Sequence, residues 1–323
     1  MKTALILGIG GQDGSYLADI LTEQGWSVHG LYRHSSYDNL GRVAHLRDRV
    51  TLHRGDVTDW GSIHEAVRRC KPDHVYHMAD QDSVGWSFAA QGYQHRVTAK
   101  SVFKVLNVLW GTKRSVKVFV PLSCTMFGTA PPQQDESTPL DPQSPYAKGK
   151  VLAWEHCKKF RGSLLHINCG IMFNHDSPRR SPNYLLQKIC REAVELVQGR
   201  RETIALGSLD TRVDVGYARE YMEVVVKIME LPEPGDYCVG TGKAWSIRKM
   251  LERAFGYLSS EHRYVVDDWW DCIGSDPAYV GKVEPTYEAN TTKLCAVTGW
   301  TARYDTGRVT EILIDHFVEE SRK

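Results

Sequence analysis

Gly8-Ile9-Gly10-Gly11-Gln12-Asp13-Gly14 directly follows the apolar run of residues 4–7 and opens a helical pattern over residues 14–23. A glycine-rich turn between a first strand and a first helix is typical of a dinucleotide-binding unit. Gly8 allows the tight turn, Gly11 lets the backbone approach a pyrophosphate, and Gly14 lets the helix pack close to the sheet. The unpaired N–H groups at the start of that helix would then face the anion.

The rest of the first half alternates strands with helices. Further β-type runs lie at residues 28–32, 50–53, 74–77 and 116–120, and helical patterns lie at residues 61–69, 93–110 and 146–160. Several of the runs are apolar on both faces, which predicts a Rossmann-type, doubly wound parallel α/β sheet. The alternation becomes irregular near residue 170, with helical patterns at 183–198 and 219–229. We therefore predict a cofactor-binding Rossmann domain over residues 1–170 and a smaller substrate-binding domain over 171–323 that shares segments with the first.

Composition excludes several classes of protein. The 323 residues carry 40 basic and 39 acidic side chains, so no basic excess exists to hold nucleic acid or an anionic membrane. The eight cysteines form no Cys-x-x-Cys pair and are expected to be reduced thiols. The histidines form no His-Glu-x-x-His motif, so we expect no metal. Because the N-terminal apolar run ends at once in the glycine turn, we interpret it as a strand rather than a signal peptide and expect a cytoplasmic protein.

The end of the second predicted strand indicates the cofactor. An NAD site would place Asp or Glu there for the ribose 2′-hydroxyl, whereas this sequence has Leu31-Tyr32-Arg33-His34-Ser35-Ser36. Arg33 could pair with a 2′-phosphate, so NADP is favoured over NAD. Asp56, followed by Val57, comes after the third strand, where it could hold the adenine amino group.

A catalytic group is predicted next to this cofactor site. Tyr146 and Lys150 are four residues apart and therefore on one face of a helix, and Ser123 lies just past the fifth strand. The Lys150 cation would lower the pKa of the Tyr146 phenol. The phenolate could then accept a proton from a sugar hydroxyl that Ser123 holds in place, while hydride leaves the carbon.

These motifs resemble those of extended short-chain dehydrogenase/reductases of nucleotide sugars, and most of all the GDP-mannose 4,6-dehydratases. The similarity covers nearly the whole chain and is most distinctive at Phe173-Asn174-His175-Asp176-Ser177-Pro178-Arg179-Arg180. It implies NADP, a GDP-linked or other nucleotide sugar, and hydride removal at sugar C4. It also implies a homodimer or homotetramer with the loop of residues 33–42 near the partner subunit. The implied cofactor contacts are Gly8, Gly11, Gln12, Asp13, Gly14, Arg33, Ser36, Asp56, Val57, Tyr146, Lys150, His175 and Arg180, and the implied substrate contacts are Asn174, Lys188, Arg212 and Asp214.

One position departs from the dehydratase pattern. Dehydratases place a carboxylate two residues after the hydroxyl residue that partners the tyrosine, and here that position is Thr125. A threonine hydroxyl does not titrate near neutral pH, so it cannot move the protons of an elimination across C5 and C6. Ser123-Cys124-Thr125 is similar instead to the same segment of UDP-galactose 4-epimerases. In strand geometry Ser123 and Thr125 would share a face, with Cys124 pointing away as a small buried thiol.

The sequence therefore favours an NADP-dependent C4 epimerase of a GDP-linked sugar, with Ser123, Thr125, Tyr146 and Lys150 as the catalytic group. A 4-keto-sugar reductase needs the same side chains. A 4,6-dehydratase would need an acid/base from elsewhere, and Asp80 and Asp82 could approach the site. A non-catalytic NADP-binding regulator is the alternative of another class. Two phosphate contacts of the dehydratase pattern are missing, since Val213 precedes Asp214 and no arginine lies near Lys282.

Overall fold

A seven-stranded, all-parallel sheet dominates the part of the chain that the structure describes, in the order β11-β6-β5-β4-β1-β2-β3. The computed structural model describes residues 1–162, 164–264, 268–276 and 285–322. The strands are β1 (Thr3–Leu7), β2 (Ser27–Tyr32), β3 (Val50–Arg54), β4 (His74–His77), β5 (Val116–Ser123), β6 (Leu165–Met172), β7 (Asn174–Asp176), β8 (Ile204–Leu206), β9 (Arg212–Val213), β10 (Val215–Tyr217), β11 (Asp236–Val239), β12 (Trp245–Ser246) and β13 (Ile273–Ser275).

Helices cover both faces of this sheet. The α-helices are α1 (Gln12–Glu23), α2 (Trp60–Cys70), α3 (Val84–Ala89), α4 (Gln91–Gln94), α5 (Ser101–Gly111), α6 (Pro145–Phe160), α7 (Leu185–Val197), α8 (Ala218–Glu230), α9 (Ile247–Ser260), α10 (Thr292–Thr298) and α11 (Thr306–Glu320). Short 3-10 turns occur at Gly41–Leu46, Cys124–Phe127 and Trp269–Cys272. In the described residues, no helix is long and apolar enough to cross a membrane.

The two faces of the sheet bury alternate side chains of the same strand. In β1, Leu5 and Leu7 belong to the core under α2, α5 and α6, whereas Ala4 and Ile6 belong to the core under α1 and α8. This is the two-sided burial that the apolar runs predict. The predicted α/β doubly wound fold is confirmed. Parallel strands bring their carboxyl ends to one edge, and the ends of β1, β2, β4 and β5 there carry the residues of the site.

The second half of the chain contributes to the same sheet. β11 pairs with β6 in register from Cys169–Asp236 to Met172–Val239. A separate apolar core joins α7, α9 and α11. The domain boundary between residues 170 and 171 stays a prediction. β11 belongs to the second half of the chain but lies in the large sheet.

The helical pattern predicted over residues 93–110 is interrupted in the structure. α4 passes into a π-helical stretch at His95–Lys100 before α5 begins. A π-helical turn adds one residue to the hydrogen-bonded ring, and such turns are frequent at functional sites. Here the stretch packs against α6, the helix that carries Tyr146 and Lys150.

Candidate active site

The glycine turn, residues 8–14, is shaped by close backbone approach. Gly8 has a φ of +86°, a left-handed conformation that favours glycine. A Cβ on Gly14 would lie 2.3 Å from the Gly8 carbonyl oxygen, so α1 could not start where it does with a larger residue. Gly10, to which the sequence analysis gave no role, is equally constrained, because its Cβ would lie 2.1 Å from the Asn39 carbonyl oxygen. The sequence does contain a signal for this role, because Gly10 is one glycine more than the dinucleotide-binding motif requires.

A cleft of about 280 Å³ opens beside this turn. Gly8, Gly11, Arg33, Asp56 and Val57 line it, so five of the expected cofactor contacts are brought together. The Asp56 carboxylate accepts hydrogen bonds from the Thr58 backbone N–H and hydroxyl, both at 2.7 Å. The glycines provide the open backbone that a pyrophosphate requires at the start of α1, and the described residues therefore fit a dinucleotide.

Two arginines flank the end of β2 in the same cleft. Arg33 donates to the Tyr93 hydroxyl at 2.7 Å. Arg42, which sequence reasoning missed, donates to the carbonyl oxygens of Arg179 at 2.6 Å and Gly10 at 3.3 Å. Ser36 is exposed and does not line the cleft.

Ser123 and Thr125 meet, but not through strand geometry. β5 ends at Ser123, and the 3-10 turn Cys124–Phe127 follows at once. The Thr125 hydroxyl donates to the Ser123 hydroxyl at 3.0 Å, because the turn brings the side chain at i+2 back toward residue i. The expectation that a continuing strand aligns the two side chains is wrong, although the hydroxyls share one side of the site.

Cys124 is 1% exposed. Burial raises the pKa of its thiol to about 12, even though the Ser123 side chain opposes this shift. A thiol with such a pKa stays protonated at neutral pH, which agrees with its interpretation as a small buried side chain.

Tyr146 lies at the start of α6, capped by Ser144, whose hydroxyl accepts from the Ala147 N–H at 3.1 Å. The phenol is 7% exposed, and Ser123 is close enough to oppose the rise in its pKa. Burial, and then the charges of Asp80 and Asp82, raise the pKa of Tyr146 well above 10. The lysine at i+4 is close, with the Lys150 ammonium 5.5 Å from the Tyr146 ring centroid.

The β4 loop, residues 78–83, contributes two carboxylates. Asp80 forms a buried ion pair with Lys150 at 2.7 Å. Asp82 forms an ion pair with Arg180 at 3.1 Å and accepts from the Tyr184 hydroxyl at 2.6 Å. Both therefore approach the site, as the sequence allowed, but each is already engaged by cationic or hydroxyl partners.

Gln12, Asp13 and His175 tie the start of α1 to β7. His175 Nε2 lies 3.1 Å from Asp13 Oδ2, and the Gln12 amide accepts from the Ser177 hydroxyl at 2.9 Å. Burial would raise the pKa of Asp13, but His175 and Arg180 lower it to about 2. Burial would lower the pKa of His175, but Asp13 raises it above 6.5. We call this contact between Asp13 and His175 the α1 clasp.

Arg179 is a second residue that sequence reasoning missed. Its guanidinium forms an ion pair with Asp19 at 2.7 Å and lies 4.1 Å from the Tyr16 ring centroid. Because Asp19 and Tyr16 belong to α1, Arg179 reinforces the α1 clasp. The Pro-Arg-Arg motif pointed to this segment, but its partners lie about 160 residues away in the sequence.

The four residues expected to contact substrate do not form one cluster of free side chains. Asn174 is exposed on β7, and Arg212 donates to the Ala244 carbonyl oxygen at 3.0 Å. Lys188 donates to the Ala205 carbonyl oxygen at 2.5 Å. Lys282 lies outside the described residues.

Asp214 corrects the expectation of a substrate contact. It is fully buried, and its carboxylate accepts from the backbone N–H groups of Thr241, Gly242 and Ala289 at 2.9 to 3.2 Å. Those donors use the oxygens that a ligand would need, so Asp214 closes the turn after β11. Burial raises the pKa of this carboxyl despite its donors.

No group of three His, Cys, Asp or Glu side chains that could hold a metal ion occurs within residues 1–162, 164–264, 268–276 and 285–322. The eight cysteines are unpaired. The parallel sheet, the glycine turn and the assembled Ser123, Tyr146 and Lys150 are the features on which the resemblance to short-chain dehydrogenase/reductases was based.

Comparison with known proteins gives the family. A family model described as GDP-mannose 4,6 dehydratase matches residues 5–312, and the chain belongs to that family. A relative from Arabidopsis thaliana, GDP-mannose 4,6 dehydratase 2, is 33% identical over all of this chain and 88% of its own length. Among solved structures, a UDP-glucose 4-epimerase from Thermotoga maritima has a TM-score of 0.84 at 18% identity, covering 99% of both chains. A dTDP-glucose 4,6-dehydratase from Bacillus anthracis also has a TM-score of 0.84, at 13% identity, covering 100% of this chain and 98% of its own.

Proposed function

We propose that this protein is an NADP-dependent C4 epimerase of a GDP-linked sugar. One observation carries the proposal: Ser123, Tyr146 and Lys150 are assembled, while Thr125 supplies only a hydroxyl where an elimination needs a titratable carboxylate. The GDP-linked class follows from membership of a family described as GDP-mannose 4,6 dehydratase.

The cleft supports NADP as the cofactor. The backbone at Gly8 and Gly11 would hold the pyrophosphate, with Asp56 and Val57 beside the adenine. No carboxylate follows β2, whereas Arg33 and Arg42 both line this end of the cleft. Two guanidinium groups match the charge and hydrogen-bonding of a ribose 2′-phosphate.

The chain's own residues would handle one proton. Ser123 would hold the sugar C4 hydroxyl, and Tyr146 would accept its proton and later return it. Lys150 would remain beside the phenol, 5.5 Å from its ring centroid. The chemistry that NADP would supply when bound is a hydride acceptor for sugar C4, and return of that hydride to the opposite face of the sugar would invert C4 without net oxidation.

An elimination across C5 and C6 would need Asp80 or Asp82 as its acid/base, and both carboxylates already have partners. Asp80 is held by Lys150, and Asp82 by Arg180 and Tyr184. Releasing Asp80 would leave the buried Lys150 cation without its partner, which is costly, whereas Asp82 is half exposed and its release would cost less.

A 4-keto-sugar reductase is the second candidate, and the state of Tyr146 favours it. A phenol whose pKa lies well above 10 remains protonated at neutral pH and is ready to donate its proton to a 4-keto oxygen. An epimerase performs this same step in its second half.

The deciding experiment follows GDP-mannose and NADP by proton NMR in D2O. An epimerase gives a C4-inverted sugar without deuterium, whereas a 4,6-dehydratase exchanges the C5 proton and creates a C6 methyl, which would overturn the proposal. Without any change, a 4-keto sugar and NADPH are tested next, and turnover there supports the reductase. Tyr146→Phe is the control, because a non-catalytic regulator would be indifferent to it.

We further propose that the enzyme is a cytoplasmic homo-oligomer. Phe103 and Trp110 on α5 and Leu152 on α6 are each more than a third exposed, an apolar face that a second copy would cover. Unpaired thiols suit a reducing compartment. Sedimentation should show a dimer or tetramer that Phe103→Glu dissociates, and an unchanged oligomer would place the interface elsewhere.

A further inference from the structure

The Lys150 ammonium has little freedom. It donates to the Pro121 carbonyl oxygen at 2.7 Å and lies 2.7 Å from Asp80 Oδ2. An ammonium has three N–H donors, so these two partners leave one for the cofactor or the phenol. The side chains of Lys150 and Asp80 are 6% and 14% exposed, which excludes most of the screening by water.

Asp80 is itself held by its own loop and by the π-helical stretch. Its Oδ1 accepts from the Gln81 N–H at 2.7 Å and from the Thr98 hydroxyl. Thr98 belongs to the π-helical stretch, and the Gln94 amide donates both to Thr98 and to the Gln81 carbonyl oxygen. Burial alone would raise the pKa of Asp80, but Lys150 and these donors hold it below its usual value. The carboxylate is therefore charged and immobile.

The titratable groups that face Tyr146 come from four parts of the chain. They are Asp80 and Asp82 in the β4 loop, Cys124 after β5, Lys150 on α6, and Tyr184 before α7. Lys150 is the cation among them at 5.5 Å from the ring, and Asp80 is its direct counter-ion. The Asp80 carboxylate therefore lies directly against the lysine charge, and its own charge raises the pKa of Tyr146.

We propose that Asp80 is a positioning residue, which fixes Lys150 beside Tyr146 and offsets the lysine charge, so that the phenol keeps its proton until a positively charged cofactor is bound. The inference deepens the proposed function, because it concerns the same site. It means that the tyrosine–lysine pair acts here as a tyrosine–lysine–aspartate triad. Proton removal from substrate is thereby coupled to the presence of the oxidised cofactor.

The test measures Tyr146 directly and needs no substrate. The full-length chain is labelled with [13Cζ]tyrosine, its Tyr146 signal is assigned with Tyr146→Phe, and pH titrations are recorded with and without NADP. Asp80→Asn should lower the pKa of Tyr146 by about one unit or more, because the lysine charge then acts alone. NADP should lower it further in the wild type than in Asp80→Asn. An unchanged pKa in Asp80→Asn would overturn the inference.

A second variant covers the case in which Asp80→Asn does not fold, since it leaves Lys150 buried without a counter-ion. Asp80→Asn/Lys150→Met removes both charges. If they cancel at the phenol, the Tyr146 pKa stays within about half a unit of the wild type. If it rises well above the wild-type value, Lys150 was not offset and the inference is wrong. Asp82→Asn, which removes a half-exposed carboxylate, should give a smaller decrease than Asp80→Asn.

The same variants separate this inference from the proposed function. A shifted Tyr146 titration without C4 inversion would sustain the triad and reject the epimerase. C4 inversion whose pH profile is identical in wild type and Asp80→Asn would sustain the epimerase and reject the triad.

Discussion

The glycine turn and the β4 loop follow neighbouring strands at the same edge of the sheet, yet they are built on different physics. In the glycine turn, backbone atoms approach so closely that a Cβ on Gly8 or Gly14 would lie within 2.8 Å of its neighbours. In the β4 loop, Asp80 and Asp82 are held by Lys150, Arg180 and hydroxyl groups. A change in the first region acts through sterics, whereas a change in the second acts through charge. Substitution of a glycine in the first region should therefore act independently of pH, whereas substitution of a carboxylate in the β4 loop should depend on pH.

The pKa shifts in the two regions also have opposite effects, because one set favours the charged forms and the other disfavours them. In the α1 clasp, Asp13 and His175 each favour the charged form of the other, which stabilises the fold. Beside the β4 loop, burial and two carboxylates disfavour ionisation of Tyr146. The first arrangement suits a structural contact, and the second suits a group that must hold a proton until it is needed.

The largest effect is expected from Tyr146→Phe, which removes the acid/base group that the β4 loop controls. Turnover should fall by about 10²–10⁴-fold, while the free energy of unfolding changes by about 1 kcal/mol for the loss of one buried hydroxyl. Steady-state kinetics and urea unfolding measure the two quantities. Tyr257→Phe, which removes a hydroxyl that donates to Asp315 on α11, is the matched control and should keep full activity. Activity within tenfold of wild type in Tyr146→Phe would mean that another group moves the proton.

Gly14→Ala tests the steric side of the comparison. The added methyl meets the Gly8 carbonyl oxygen at 2.3 Å, so unfolding free energy should fall by about 1–3 kcal/mol, equally at pH 6 and pH 8. Gly256→Ala in α9 is the matched control, because nothing lies within 4 Å of its Cβ position, and it should gain about 0.5–1 kcal/mol. A pH-dependent loss in Gly14→Ala would show that charge also contributes to the glycine turn.

The same contrast explains what the sequence could predict. The glycine turn is local, so spacing alone was enough to predict Gly8 and Gly11 between β1 and α1 and the close approach of Gly14 in the first turn of α1. The two ends of the ion pair between Asp80 and Lys150 are 70 residues apart, and nothing in either segment alone indicates the partner. Asp214 shows the converse failure, since a motif position suggested a ligand contact where tertiary structure buries the carboxylate among backbone donors.

Arg33→Ala tests the arginine that follows β2 and lines the cleft beside the glycine turn. Loss of a charge-assisted contact to the 2′-phosphate should weaken NADP binding by about tenfold or more and leave NAD binding nearly unchanged. Fluorescence titration with both cofactors measures the ratio. Arg200→Ala, an exposed arginine after α7, is the control. Equal weakening for NADP and NAD would show that Arg33 does not read the 2′-phosphate.

The smallest effect is expected from His175→Gln, which breaks the α1 clasp. The pKa of His175 is raised above its unfolded value of 6.5, so its contribution is complete below pH 6.5 and is lost as pH rises through the folded value. The pKa of Asp13 is lowered from 3.8 to about 2, so its contribution is present above pH 3.8 and is lost as pH falls toward 2. The clasp therefore stabilises the fold most between about pH 4 and pH 6.5.

His175→Gln should cost about 1 kcal/mol more at pH 5.5 than at pH 9 in urea unfolding, whereas His64→Gln, exposed on α2, should cost the same at both. An equal cost for His175→Gln at the two pH values would mean that the α1 clasp acts through its hydrogen bond alone. The glycine turn and the β4 loop would then differ less in their dependence on charge than their pKa shifts indicate.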